Sequence, residues 1–280
     1  MQYRTDLALE HCEAAALPAD VRVFSRKQNN ITIETVEIQT DDYIKPRGRY
    51  VTVTVPMLSA PHAADEAEIE AIACEVAAML PKTGTVLIAG LGNKNITPDA
   101  LGPRCAGQII ATRHLAEETE AVLGKLRPAA AIAPGVLGQT GMESDEIIKA
   151  LVKQIAPDAV VVVDALATKS AARLGCTIQI SDSGISPGSG VMNARQEISQ
   201  KTLGIPVIAV GVPTVVDAAT LVAELTGSEH NEESSKIGGM MVTPRDIDQL
   251  ITHASHMLAL VINRAVQKTL PLEIIAYLMG

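Results

Sequence analysis

Two aspartates lie beside apolar runs of the chain, where a carboxylate is costly to bury without a partner. Asp164 follows four consecutive valines at 160–163, and Asp99 follows Thr97 and Pro98, which have the types of an N-cap and a first-turn proline. Two carboxyl groups that lie close together cannot both ionise cheaply, so one keeps a proton. The ionised partner can then activate a water while the neutral one donates to a carbonyl oxygen. This pairing predicts an aspartic-type peptidase that uses no metal and no cofactor.

Each aspartate also has a simpler interpretation. A helix-start acid that complements the helix dipole would explain Asp99. A structural acid that caps a neighbouring loop would explain Asp164. The same carboxylate oxygens could instead hold a divalent metal in an open site, and the sequence leaves this metal-assisted alternative open.

The other binding or catalytic motifs in the sequence are incomplete. The glycines at 90 and 92 resemble part of a dinucleotide fingerprint, but the third glycine and the following acid are absent. A nucleotide-binding domain is therefore a weak third interpretation. The GSG sequence at 188–190 lacks the strand and helix of a nucleophile elbow. No histidine ends an apolar run, and the four cysteines are scattered singly, which argues against a zinc site or a disulfide framework.

The hydropathy pattern predicts two kinds of strand. Residues 31–39 and 50–56 alternate apolar and polar side chains, which indicates an antiparallel pair of strands that covers one face of a larger structure. Continuous apolar runs without alternation are typical of parallel strands buried on both faces, and they occur at 85–91, 129–135, 159–165 and 206–212. Because ligands bind beyond the carboxyl ends of such strands, the two aspartates are expected to meet there.

Helical periodicity fills the segments around these strands. The predicted helices are 65–80, 98–123, 143–155, 194–203, 215–225 and 244–280, the last interrupted at Pro271, with an exposed loop at 226–240. The sequence therefore predicts one α/β domain with a mostly parallel twisted sheet flanked by helices, and an additional antiparallel β element near the N-terminus. Residues 247–270 are so rich in aliphatic side chains that part of this helix is expected to contact another subunit.

Composition and charge exclude several function classes. The 280 residues include five aromatic side chains and carry a net charge of −9, so neither base stacking nor an electrostatic nucleic-acid surface is expected. No apolar run approaches the length of a membrane span, and acids interrupt the N-terminal segment where a secretion signal would be apolar. With its unpaired cysteines, the chain is predicted to be cytoplasmic.

Long motifs in this chain resemble the germination protease family of spore-forming bacteria. The resemblance is carried in one order along nearly the whole sequence by RTDLA (4–8), PRGRY (46–50), GLGNKNITPDALGP (90–103), APGV (133–136), VDALA (163–167), ISDSGISPGSG (180–190), GVPTVVD (211–217) and MVTP (241–244). Motifs of this length are specific.

The resemblance implies an activity and a fold. Members of the family degrade small acid-soluble spore proteins, so these would be the substrates, in the forespore and spore core. The family is regarded as an atypical aspartic endopeptidase, and its two aspartates correspond to Asp99 and Asp164. The implied fold is a phosphorylase/hydrolase-like three-layer sandwich, shared with hydrogenase-maturation endopeptidases that recognise nickel through carboxylates. The family is made as an inactive homotetrameric zymogen.

The resemblance also implies a maturation site. Family substrates are cut after an acid and before an apolar residue, followed by small residues and a second Glu. The TDLALE sequence at 5–10 has the same order of residue types. Cleavage is therefore predicted between Asp6 and Leu7, which makes residues 1–6 a propeptide and 7–280 a single peptidase domain.

The loops near the aspartates supply the candidate substrate contacts, although they depart from the family pattern at two positions. Lys94 stands where a tryptophan is expected, and Ser186 stands where the family usually has a histidine. A lysine beside the acid pair would lower the pKa of both carboxyl groups. The candidate substrate-binding residues are Asn93, Asn95, Gln139, Ser183 and Ser186. For the amide side chains, closing the loops is an equally good interpretation.

Overall fold

Four parallel strands, one of which carries Asp164, belong to a nine-stranded mixed sheet in the computed structural model of the chain. The structure describes residues 5–13, 17–28, 30–41, 43–60, 65–115, 124–188, 196–227, 237 and 239–280. The strands are β1 (Val21–Gln28), β2 (Ile31–Ile38), β3 (Gly48–Thr54), β4 (Val86–Gly90), β5 (Ala129–Ile132), β6 (Ala159–Thr168), β7 (Thr177–Ser181), β8 (Val207–Asp217) and β9 (Met241–Val242).

Helices join and cover these strands. They are α1 (Ala8–Glu13), α2 (Glu66–Met79), α3 (Leu101–Ala106), α4 (Leu137–Thr140), α5 (Ser144–Ile155), α6 (Gln200–Leu203), α7 (Ala218–Thr226), α8 (Ile247–Val266) and α9 (Leu272–Met279). Two 3-10 turns, Thr97–Asp99 and Ala171–Arg173, lie beside the sheet.

The strand order is β1-β2-β3-β7-β8-β6-β4-β5, with β9 paired to β8. Strands β5, β4, β6 and β8 are parallel neighbours, and the remaining pairs are antiparallel. The predicted α/β class and the N-terminal antiparallel element are therefore confirmed. The antiparallel strands do not cover a face of the sheet, however. Strand β7 pairs with β3 on one side and with β8 on the other, so the antiparallel strands extend the same sheet.

Two apolar cores cover opposite faces of the parallel strands, since neighbouring side chains of a strand point to opposite sides. Val86 and Ile88 belong to a core that includes α2, α3 and α8. Leu87 and Ala89 belong to a second core, which includes Ile148 of α5. The arrangement is thus a three-layer sandwich with helices on each face of the sheet.

Several predicted helices are shorter in the structure. The helix predicted at 98–123 is wrong at 107–115, because α3 ends at Ala106 with Gly107 as its C-cap; the prediction for 116–123 lies outside the described residues. The helix predicted at 194–203 is reduced to α6, which ends at Gly204 in the left-handed conformation. Strand β8 runs to Asp217, whose side chain caps α7. Most of the loop predicted at 226–240 also lies outside the described residues.

The C-terminal prediction of a helix interrupted at Pro271 is confirmed by α8 and α9. Most of the aliphatic side chains of α8 are buried in the core that it shares with α2 and α3. This helix therefore gives no separate support for a subunit contact. None of the described helices combines the length and hydrophobicity that a membrane span requires.

Candidate active site

Asp99 ends the 3-10 turn that precedes α3. The N-cap of this turn is Ile96 rather than the predicted Thr97, and Pro98 lies at its start. The Asp99 carboxylate accepts a hydrogen bond from the backbone N–H of Asn93, with N···Oδ2 at 2.7 Å. The Thr214 hydroxyl in β8 donates to the carbonyl oxygen of Pro98 at 2.8 Å. The turn that carries Asp99 is therefore fastened to a strand of the sheet.

Two glycines allow this turn and α3 to lie directly against the sheet. Gly92 has φ of 110°, and a Cβ atom there would lie 2.1 Å from the Asp99 carbonyl oxygen and 2.9 Å from its Oδ1. A Cβ atom on Gly102 would lie 2.2 Å from the Leu91 carbonyl oxygen and 2.5 Å from that of Val163. These approaches place α3 against β6 and the residue that follows β4.

Asp164 lies within β6 rather than at its end. The strand continues to Thr168, which corrects the expectation that it stops at the aspartate. The neighbouring β4 does stop: its last residue, Gly90, pairs with Val163. Asp164 is thus the first residue of β6 beyond the end of β4. It is 6% exposed, and its Oδ1 accepts the N–H of Ala165 at 2.9 Å.

One cavity of about 350 Å³ brings the two aspartates together. Asp99 and Asp164 both line it, and Asp6 lines it with them. Most of the other lining residues are apolar or small, among them Leu91, Ile96, Pro98, Val136, Ala165, Ala167 and Val215. The structure therefore places both predicted catalytic residues and the acid of the predicted cleavage site around one space.

Two of the amide side chains predicted to bind substrate, those of Asn93 and Gln139, form a hydrogen-bond network in the loop that binds Asp99. Asn93 Oδ1 accepts from the backbone N–H of Asn95 at 3.0 Å and from Gln139 Nε2 at 2.6 Å. The N–H of the same Asn93 is the group that donates to Asp99. These contacts agree with loop closure, the alternative interpretation, for the side chains of Asn93 and Gln139. Lys94 lies exposed in the same loop.

The two serines predicted to bind substrate lie elsewhere. Ser183 and Ser186 line a second cavity of about 310 Å³, which Lys45 and Glu197 also line. Asp6 lines both cavities. The serines are therefore separated from the aspartate pair, with Asp6 between the two spaces.

The predicted cleavage site is held as an extended segment against β6 and β7. The Asp6 N–H donates to the Ala167 carbonyl oxygen at 2.9 Å, and the Ala167 N–H donates to Asp6 Oδ2 at 2.8 Å. Gln179 spans the Asp6–Leu7 bond: its Nε2 donates to the Asp6 carbonyl oxygen at 3.0 Å, and its Oε1 accepts the Ala8 N–H at 2.8 Å. Leu7 is fully buried.

Sequence reasoning missed Gln179 and Lys45. Gln179 belongs to β7, a strand that the hydropathy pattern did not reveal. Burial lowers the pKa of Lys45, and the charges of Asp6 and Glu10 oppose that shift. A cation thus lies among the carboxylates of the N-terminal segment.

Within the described part of the chain, no three His, Cys, Asp or Glu side chains gather closely enough to hold a metal ion. The cavity lies where β4 ends, and its two aspartates supply carboxyl groups for the acid and base steps of activating a water.

The chain is similar in sequence to proteins of one known family. A sequence model of the germination protease family matches residues 7–227. The germination protease of Clostridium acetobutylicum is 40% identical, over 96% of this chain and 97% of that protein. The germination protease of Bacillus velezensis is 44% identical, over 79% of this chain and 65% of that protein.

Among solved structures, the [NiFe] hydrogenase maturation protease HycI from Thermococcus kodakarensis matches 67% of this chain and 98% of its own, at 16% identity and a TM-score of 0.38. The extent and identity of the sequence matches show that the chain belongs to the germination protease family, and it is therefore a peptidase.

Proposed function

We propose that this protein is an aspartic-type endopeptidase that begins the degradation of small acid-soluble spore proteins during germination, in the spore core. It cuts after an acidic residue and before an apolar one. It is made as a zymogen that cuts its own chain between Asp6 and Leu7. The observation that carries the proposal is the single cavity lined by Asp99, Asp164 and Asp6.

In the proposed reaction, the two carboxyl groups share one proton and titrate as a pair. The ionised carboxylate takes a proton from a water whose oxygen attacks the peptide carbonyl carbon, while the neutral carboxyl donates its proton to the carbonyl oxygen. The tetrahedral intermediate, which carries two hydroxyl groups, then collapses: the carboxylate that gave up its proton takes one back from a hydroxyl, the carbon–nitrogen bond breaks, and the amine leaves with a proton from the carboxyl that took it from water. The pair then again shares one proton. No covalent intermediate forms.

Self-cleavage of the Asp6–Leu7 bond tests the proposed catalytic pair. Asp99→Asn and Asp164→Asn keep the shape of each side chain but remove its acid function, so each variant is expected to lose self-cleavage by at least about a thousandfold. Purified full-length protein is incubated at mildly acidic pH, and mass spectrometry follows the appearance of an N-terminus at Leu7. Thermal unfolding confirms that each variant folds.

Asp248→Asn, an exposed change in the first turn of α8, is the matched control and should cleave normally. Near-normal cleavage by either active-site variant would remove that residue from the catalytic pair. A new N-terminus at another residue would refute the proposed propeptide of residues 1–6. Addition of a chelator separates the metal-assisted alternative, since loss of activity that a divalent ion restores would favour a metal.

The proposal includes the assembly of the zymogen. A homotetramer is expected from the family resemblance, and light scattering of the full-length protein measures it. A strict monomer at micromolar concentration would contradict this part of the proposal without affecting the catalytic part.

A further inference from the structure

A second carboxylate of the N-terminal segment is bound more completely than that of Asp6. The Glu10 side chain in α1 is fully buried. Its Oε1 accepts the hydroxyl of Thr168 at 2.6 Å, and its Oε2 accepts the N–H of Lys169 at 2.8 Å. The N–H of Ser170 and the Arg173 guanidinium also reach Oε1, each at 3.3 Å. Removing a carboxylate from water is expensive, and these donors offset that cost.

One short stretch of chain, residues 167–173, binds the carboxylates of both Asp6 and Glu10. The Ala167 N–H binds Asp6, and the next residues, 168–173, bind Glu10. Asp6 and Glu10 are four residues apart in the sequence. The stretch thus holds two acids at a fixed spacing, one immediately before the proposed scissile bond and one four residues after it.

The loop that binds Glu10 is itself held by a residue of α7. Glu224 in α7 accepts the Ser170 hydroxyl at 2.7 Å and the Ala171 N–H at 3.1 Å. Two of the donors to Glu10 are backbone N–H groups, those of Lys169 and Ser170, and the bonds to Glu224 hold this part of the chain in position. A neutral glutamine in place of Glu10 would turn its own NH2 group toward a donor, so the site discriminates between charge states.

The main chain of the segment has its own contact. Lys169 Nζ donates to the Glu10 carbonyl oxygen at 2.7 Å, a bond that any residue at this position could accept. The site therefore combines a contact that is indifferent to side chain with contacts that require a carboxylate.

We propose that residues 168–173 form the subsite for a second acidic residue of protein substrates, four positions after the cleaved bond, and that the N–H groups of Lys169 and Ser170 and the Arg173 guanidinium determine its specificity; this rests on the proposed peptidase function. In the uncut chain Glu10 occupies the subsite. A substrate binds there after residues 7–13 have left it.

Cleavage itself disfavours the docked N-terminal segment. Cutting after Asp6 leaves a charged amino group on Leu7, which is fully buried in the uncut chain. It also removes Asp6, one of the two carboxylates whose charges act on the half-buried Lys45. The first change puts a charge on a fully buried residue, and the second removes a negative charge beside a lysine, so both favour release of the segment.

The first experiment follows self-cleavage of the full-length protein by mass spectrometry. Glu10→Gln is expected to slow it about tenfold, the scale of a lost charge-assisted contact. Arg173→Gln should slow it to a similar extent, and the double variant should be no slower than either single one. Glu13→Gln is the matched control: Glu13 pairs with the same Arg173 but is exposed, so its rate should stay within about twofold of the unaltered rate.

The second experiment separates recognition from mere docking of α1. The matured enzyme is given two peptides with the same acid–apolar cleavage site, which differ only in Glu or Gln four positions after it. We expect kcat/KM to favour the Glu peptide about tenfold. Arg173→Gln should shrink this ratio, whereas Lys169→Met should slow both peptides and leave the ratio unchanged.

Equal hydrolysis of the two peptides by the unaltered enzyme would overturn the inference, and so would an undiminished ratio in Arg173→Gln. Absence of any peptide hydrolysis by the unaltered, folded protein would instead refute the proposed function. Thermal unfolding of every variant identifies those that fail to fold.

Discussion

Gly102 is the position where one added methyl group tests the placement of Asp99. The residue lies in the first turn of α3, directly after the 3-10 turn that ends at Asp99. In Gly102→Ala the new Cβ would lie 2.2 Å from the Leu91 carbonyl oxygen, 2.5 Å from the Val163 carbonyl oxygen and 2.6 Å from the Leu91 nitrogen. All three are backbone atoms, so no side chain can turn aside to make room.

The helix must therefore move away from the sheet by about 1 Å to restore ordinary contact distances. Overpacking of this kind costs about 3 kcal/mol, which lowers the unfolding temperature by about 5–10 °C for a chain of this size. Displacing Asp99 by about 1 Å relative to Asp164 should slow self-cleavage about a hundredfold.

Differential scanning calorimetry and mass spectrometry of the full-length protein measure the two effects. Gly107→Ala, at the C-cap of the same helix, is the matched control, because its nearest contacts would be at 3.6 Å. A Gly102→Ala protein that unfolds and cleaves like the unaltered chain would refute the close packing of α3 on the strands, and with it the geometry of the aspartate pair.

Two further predictions concern Gln139, which bonds to the loop beside Asp99, and Tyr50, which lines the second cavity. Gln139→Ala removes the hydrogen bond to Asn93 and should slow self-cleavage by less than about tenfold, as expected for one contact that holds a loop; a thousandfold loss would mean that Gln139 contacts the substrate. Burial raises the pKa of Tyr50 to about 12, so its contribution to stability is intact below the unfolded-state pKa near 10 and is lost as the pH rises through about 12. Urea unfolding of Tyr50→Phe between pH 10 and 12 should show a shallower decline, by about 1.4 kcal/mol per pH unit, and an unchanged decline would contradict the assignment.

The sequence predicted the strands that carry the site because each is an apolar run bounded by glycine, proline or aspartate. It also predicted that Asp99 and Asp164 would share one edge of the sheet, since this follows from parallel neighbours alone. The site forms where β4 ends, however, and not where β6 ends. No local pattern shows which of two neighbouring strands is the longer.

Strand β7 was missed because its neighbours come from distant parts of the chain. Gln179 in its centre is 8% exposed, and a buried polar side chain is not typical of a core strand. Its partners are Asp6 and Ala8, more than 170 residues earlier. The serines at 183 and 186 were assigned to the aspartate site for a related reason: residue types describe a loop, but they do not say which of two adjoining cavities each side chain lines.

The attachment of the N-terminal segment to β6 and β7 has a consequence for biosynthesis. Residues 6–10 depend on contacts with residues 167–179, which lie 159 to 171 residues further along the chain and are synthesised after them. The Asp6–Leu7 bond therefore has no binding site during early translation and gains one only late in folding, because contacts between distant residues require the intervening chain to be ordered. If the proposed self-cleavage takes place, a nascent polypeptide that lacks these strands does not hold that bond at its own cavity, so the order of chain synthesis delays the cut.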